Sequence, residues 1–145
     1  MSLGSLSLVL HAHLPFVRHP EHEDFLEEDW LYEAISETYL PLLLAFDSLA
    51  EDGVPFRLAM TLSPTLVTML RDELLMKRYA RKLDQLCELG EREVHRTKTD
   101  ATFGPLARFH RDHFESLRRA FHDRYRGDLV SAFRRIHGCQ IDELP

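Results

Sequence analysis

Hydrophobic and polar positions follow two different periods along this chain. At residues 6–15, LSLVLHAHLP, the period is two. Leu6, Leu8, Leu10, Ala12 and Leu14 share one side of an extended backbone, and Ser5, Ser7, Val9, His11 and His13 share the other. A buried parallel strand needs both faces covered. The leucine face suits packed helices. The smaller, more polar face suits an interior that opens toward a site at the carboxyl end of the strand. His11 and His13 then point the same way, at the end where (β/α) barrels carry their chemistry.

The period changes to helical after a polar loop. From near Asp29 to Gly53, Leu31, Ile35 and Tyr39 recur every four residues, and Leu42, Leu43, Phe46 and Leu49 continue the face. Pro41 inside this run predicts a kink or a division in two, and Gly53 predicts the stop. Phe56 to Leu62 reads as a second strand. Ser63 followed by Pro64 is a helix start, an N-cap with proline at the first helical position. Pro64 to about Glu93 is helical in composition, with a break expected near Leu74. After the polar stretch HRTKTDATFGP comes a long amphipathic helix, Leu106 to Tyr125, with Leu106, Phe109, Leu117 and Phe121 on one face. Gly127 ends it, and Asp128 caps a short helix through Arg135. CQIDELP is the expected start of a third strand.

Strand, helix, strand, several helices and a strand beginning are the order of an α/β protein with a parallel sheet. A closed (β/α) barrel takes about 250 residues, and this chain has 145. Residues 1–145 therefore read as the N-terminal fragment of a (β/α) barrel catalytic domain, with the remainder of the barrel absent.

Composition narrows the partners. The chain is 44% hydrophobic and 29% charged, enough for a packed core. Eighteen basic against 24 acidic residues give a net charge of −6, the wrong sign for a nucleic acid or an anionic membrane surface. Arg118, Arg119, Arg134 and Arg135 alternate with acids as solvated helix faces do. Two cysteines, Cys87 and Cys139, make no disulfide scaffold. With no signal-peptide pattern and no span of about 20 apolar residues, a cytoplasmic setting is expected.

Residue spacing leaves three roles open for His11 and His13. They are a metal pair, polar ligands for a sugar, or rim residues with satisfied hydrogen bonds. A catalytic zinc needs a third protein ligand, and the chain offers no further strand-end cluster. His110 and His113, three apart on the long helix, are a second possible metal pair, though backbone-bonded histidines are commoner. Trp30 is a candidate platform for a sugar face, because its loop follows the strand mouth. The acids of EHEDFLEED, residues 21–29, read as a solvated loop with no spacing that marks an acid/base pair. No P-loop, dinucleotide fingerprint, C-x-x-C pair or nucleophile elbow occurs.

LSLVLHAHLPFVRHPE, joined to EEDWLYEAISETYLPLLLAFDSLAEDGVPFRLAMTLSPTL, resembles the family 57 glycoside hydrolases. Within them it is most similar to the 1,4-α-glucan branching enzymes and their close relatives. The opening H-x-H-x-P resembles the family's first sequence region. Amylase and glucanotransferase members usually carry glutamine before the proline, whereas this chain has Leu14, as the branching subgroup does. LYEAISETYLPLL and GDLVSAFRRI resemble the same subgroup. The likeness runs from about Leu6 to Gln140, specific over the first 70 residues and looser from Leu74 to Tyr125. QIDELP only approximates the family's next strand, with Pro145 out of place.

The resemblance implies a distorted seven-stranded (β/α) barrel with additional helices, and a retaining mechanism on α-glucans such as amylose or glycogen. No metal or organic cofactor is implied. It implies that His11 and His13 line the subsite of the reacting glucose unit, with Pro15 shaping the turn after them. The glutamate nucleophile and aspartate acid/base lie in later regions, so no catalytic residue is expected within this chain, and the 145-residue chain alone is expected to be inactive. Two alternatives remain beside this reading. One is a metal-dependent hydrolase built on His11 and His13. The other is a non-catalytic carbohydrate-binding or interaction module.

Overall fold

The computed structural model describes residues 7–139. Two short strands, β1 (Val9–Ala12) and β2 (Ala59–Leu62), pair in parallel, with Val9 opposite Ala59 and His11 opposite Thr61. The connection between them is helical, as a parallel pair requires. It consists of α1 (Leu26–Ala34), a π-helical turn (Ile35–Tyr39) and α2 (Leu40–Glu51). After β2 come α3 (Pro64–Leu70), α4 (Glu73–Arg96), α5 (Phe103–Arg119), a second π-helical turn (Ala120–Arg124) and α6 (Leu129–Cys139).

The helical run is interrupted at Pro41 without being broken. Proline lacks the N–H and its ring crowds the carbonyl four residues back. The wider turn before it relieves that crowding: the Leu40 N–H reaches back to the Ile35 carbonyl instead of one residue nearer. Gly53, at φ +66°, follows the end of α2 in the left-handed conformation that favours glycine. Ser63 caps α3, its hydroxyl accepting from the Leu66 N–H at 3.3 Å. The helical break lies at Arg71–Asp72 rather than near Leu74, because the Asp72 carboxylate accepts from the Leu75 N–H and starts α4. Asp128 accepts from the Ser131 N–H in the same way.

One face of the sheet is packed and the other is bare. Ala12 is buried, and Leu10, Leu14, Met60 and Leu62 pack on a core that includes Leu31, Ile35, Leu43, Leu66 and Met69. Val9, His11, Ala59 and Thr61 are exposed on the opposite face. The alternation expected for β1 therefore holds from Val9 onward, whereas Leu8, before the strand, is 53% exposed instead of packed. Above the core, Tyr79 of α4 is fully buried, meets Phe121 edge-on and bonds the Ser36 hydroxyl of the first π turn at 2.9 Å.

Four further sequence expectations need correction. The second strand is shorter than Phe56–Leu62, since pairing begins only at Ala59. The long amphipathic helix starts at Phe103, where Asp100 receives the Thr102 and Phe103 N–H groups. Its expected apolar face divides: Leu117 and Phe121 are buried, but Leu106 and Phe109 are 50% and 65% exposed. They lie toward the start of α5, which packs chiefly against α4. Cys139, expected in a third strand, closes α6. Gln140 to Pro145, the rest of that expected strand, lie outside the described residues.

Candidate functional site

Parallel strands end on the same side, and ligands of α/β sheets sit beyond those carboxyl ends. β1 delivers His11 and His13 there. Their rings stand 5.9 Å apart, centroid to centroid, and are nearly parallel at 10°. Residues two apart on an extended chain share a face, and both imidazoles lie on the bare face of the sheet. The cross-strand partner of His11 is Thr61, whose Oγ1 lies 2.6 Å from His11 Nδ1. Among the described residues, no carboxylate is hydrogen-bonded or ion-paired to either imidazole.

The chain leaving β1 is held tightly. The Leu14 carbonyl accepts from the Thr65 hydroxyl at 3.2 Å. Pro15 is exposed, and Val17 is buried with its N–H on Met69 Sδ. Arg18 pairs with Asp72, the cap of α4, at 2.6 Å. Beyond this point residues 21–24 of the acid-rich stretch are exposed, as expected of a solvated loop, but α1 begins at Leu26 and buries Glu28. Glu28, 1% exposed, accepts from Arg78 Nη1 at 2.6 Å, from the Tyr32 hydroxyl at 2.7 Å and from the His19 N–H at 3.0 Å. Arg78 also donates to the His19 and His22 carbonyls. Asp24 pairs with Arg81, and Asp29 with Lys82. One face of α4 thus clamps the loop that follows the histidines.

Burial disfavours charge on His19, but the hydrogen bonds and charges of Glu21 and Glu27 raise its pKa above the usual 6.5. Burial and the Glu28 carboxylate both push the Tyr32 phenol upward, so it serves as a donor and stays neutral.

Of the residues singled out in the sequence, His11 and His13 are brought together. Trp30 stands apart: its side chain is 49% exposed on α1, and no ring contact joins it to either imidazole among the described residues. His110 is exposed and His113 half-buried on α5, against Phe109 and Phe114. No group of three or more His, Cys, Asp or Glu side chains is arranged to hold a metal among the described residues. Thr61 and Arg78 escaped the sequence reading. Thr61 becomes visible only through strand register. Arg78, Arg81 and Lys82 at helical spacing were a faint signal for a face that meets acids.

Among curated proteins, the chain is 38% identical over 97 residues to a 1,4-alpha-glucan branching enzyme of Thermococcus kodakarensis, covering 67% of this chain and 14% of that protein. It is 33% identical over 69 residues to a probable 1,4-alpha-glucan branching enzyme of Mycobacterium tuberculosis, covering 48% and 13%. Among solved structures it matches the alpha-amylase AmyC of Thermotoga maritima, with TM-score 0.84 and 42% identity over 90% of this chain and 25% of that one. The GH57-type branching enzyme of Pyrococcus horikoshii matches with TM-score 0.84 and 30% identity over 93% and 25%. The chain therefore spans a quarter of these solved relatives and about a seventh of the curated ones. The sequence model of glycosyl hydrolase family 57 matches residues 7–138, the strand pair with its histidines and every described helix, and the chain belongs to that family.

Proposed function

We propose that this chain is the N-terminal part of an α-glucan-active enzyme, with 1,4-α-glucan branching by a retaining mechanism as its reaction. Residues 1–145 would form the first portion of a distorted seven-stranded (β/α) barrel with additional helices. The observation that carries this reading is the pair of stacked imidazoles at the carboxyl end of a parallel strand, on a sheet face left open by the helices. His11 and His13 would hold hydroxyls of the glucose unit undergoing reaction, and Trp30 would contact glucan farther out. Rigid donors rooted on a strand position and polarise a sugar; they do not attack it.

Retaining glycoside chemistry needs two carboxyl groups about 5–5.5 Å apart across one bond. Among the described residues no acid is bonded beside His11 or His13, so the 145-residue chain alone should bind glucan without turning it over. Hydrolysis is the second reading, favoured by the 42% identity to the Thermotoga maritima alpha-amylase. An assay of amylose with the intact protein carrying this sequence separates the two. Branching lowers iodine staining without new reducing ends, whereas hydrolysis produces them in step. Turnover by the 145-residue chain, abolished by replacing one of its own acids, would show that the catalytic pair has been put in the wrong place.

A further inference from the structure

His11 faces two different environments through its two ring nitrogens. Nδ1 lies 2.6 Å from Thr61 Oγ1, on the neighbouring strand. Nε2, across the ring, has no hydrogen-bond partner among the described residues. A neutral imidazole carries one proton, so one nitrogen donates and the other accepts, and the bond made at one nitrogen decides the character of the other. The Thr61 hydroxyl has no other hydrogen-bond partner among the described residues, so its proton is free to be donated to Nδ1. Thr61 is β-branched and stiff about χ1 in a strand, and the register places it directly opposite His11. The bond is therefore set by the sheet itself.

The geometry points to Thr61 as a positioning residue that donates to His11 Nδ1 and so presents His11 Nε2–H as a donor on the open sheet face. This rests on the reading of that face as glucan-binding. A sugar hydroxyl oxygen or ring oxygen accepts from such a group, whereas a bare Nε2 would accept only from a hydroxyl proton. Thr61 thereby chooses which sugar atom His11 can hold.

The test uses the full 145-residue chain labelled with 15N, with maltoheptaose as the probe. Two-bond 1H–15N correlation spectra read the tautomer of His11 directly. In the unaltered chain the proton should sit on Nε2. Thr61→Ser keeps the hydroxyl and should keep that tautomer. Thr61→Val keeps the shape, removes the donor and should release His11 into a mixture of tautomers. Maltoheptaose should then bind about fivefold more weakly, the loss expected for one hydrogen bond, with Thr61→Ser restoring it. Dispersed amide signals in each variant establish that the fold is retained. A proton on Nδ1 in the unaltered chain, or a Thr61→Val spectrum and affinity unchanged from it, overturns the proposal. If His11→Ala weakens maltoheptaose binding but Thr61→Val does not, the positioning role fails while the glucan reading stands. If His11→Ala leaves binding unchanged, both fail.

Discussion

Replacing Glu28 tests whether the clamp on the loop after the histidines holds the fold together. The Glu28 side chain receives three hydrogen bonds, from the Arg78 guanidinium, the Tyr32 hydroxyl and the His19 backbone N–H. Its side chain is 1% exposed and that of Arg78 is 10% exposed. Glu28→Ala therefore leaves a buried guanidinium without its counter-charge and a buried phenol without its acceptor. Breaking a buried ion pair on one side costs about 3–5 kcal/mol. Glu28→Gln keeps the shape and one carbonyl acceptor, removes the charge and turns the other acceptor oxygen into an amide donor. Its cost should be about 1–2 kcal/mol, the difference between a charge-assisted and a neutral hydrogen bond. With a urea dependence of about 2 kcal/mol per molar, the unfolding midpoint should fall by roughly 2 M for the alanine variant and by less than about 1 M for the glutamine variant. Protease cutting between His19 and Asp24 should rise in the same order, because Arg78 and Arg81 would lose their hold on that backbone. Equal midpoints for the alanine variant and the unaltered chain would refute the clamp. Equal losses for alanine and glutamine would show that charge, not hydrogen-bond number, carries it.

Gly90 lies inside α4 where α5 passes, and a β-carbon there would meet the Arg111 Cα at 3.0 Å. Gly90→Val should cost about 1–3 kcal/mol in urea unfolding through overpacking, and an unchanged midpoint would show that the two helices can part freely. The pKa of His19 is raised in the fold, so its ion pairs with Glu21 and Glu27 stabilise fully below the unfolded value near 6.5. That contribution fades as pH rises through the raised folded value. The difference in melting temperature between the unaltered chain and His19→Gln should thus be larger at about pH 5.5 than at about pH 8.5. A difference that does not vary with pH would contradict this assignment.

Period and local chemistry were enough to place most elements. Alternation in LVLHAHL put Leu10, Ala12 and Leu14 toward the helices and left His11 and His13 on the other face, because strand side chains alternate whatever surrounds them. Ser63, Pro64, Gly53 and Asp128 marked helix ends because capping and left-handed turns are settled within a few residues. The resemblance on the first region pointed to the family whose model matches residues 7–138. Contacts between segments far apart in sequence were beyond that reading. Glu28 looked like one acid in a solvated run, and only the approach of Arg78, 50 residues later, buries it. Thr61 acquired a role only when register set it against His11, again 50 residues away. Leu106 and Phe109 carry the same helical period as Leu117 and Phe121, yet the first two are bare and the last two buried. Period determines which side chains share a face, while burial depends on what packs against that face, and that is decided by the whole fold.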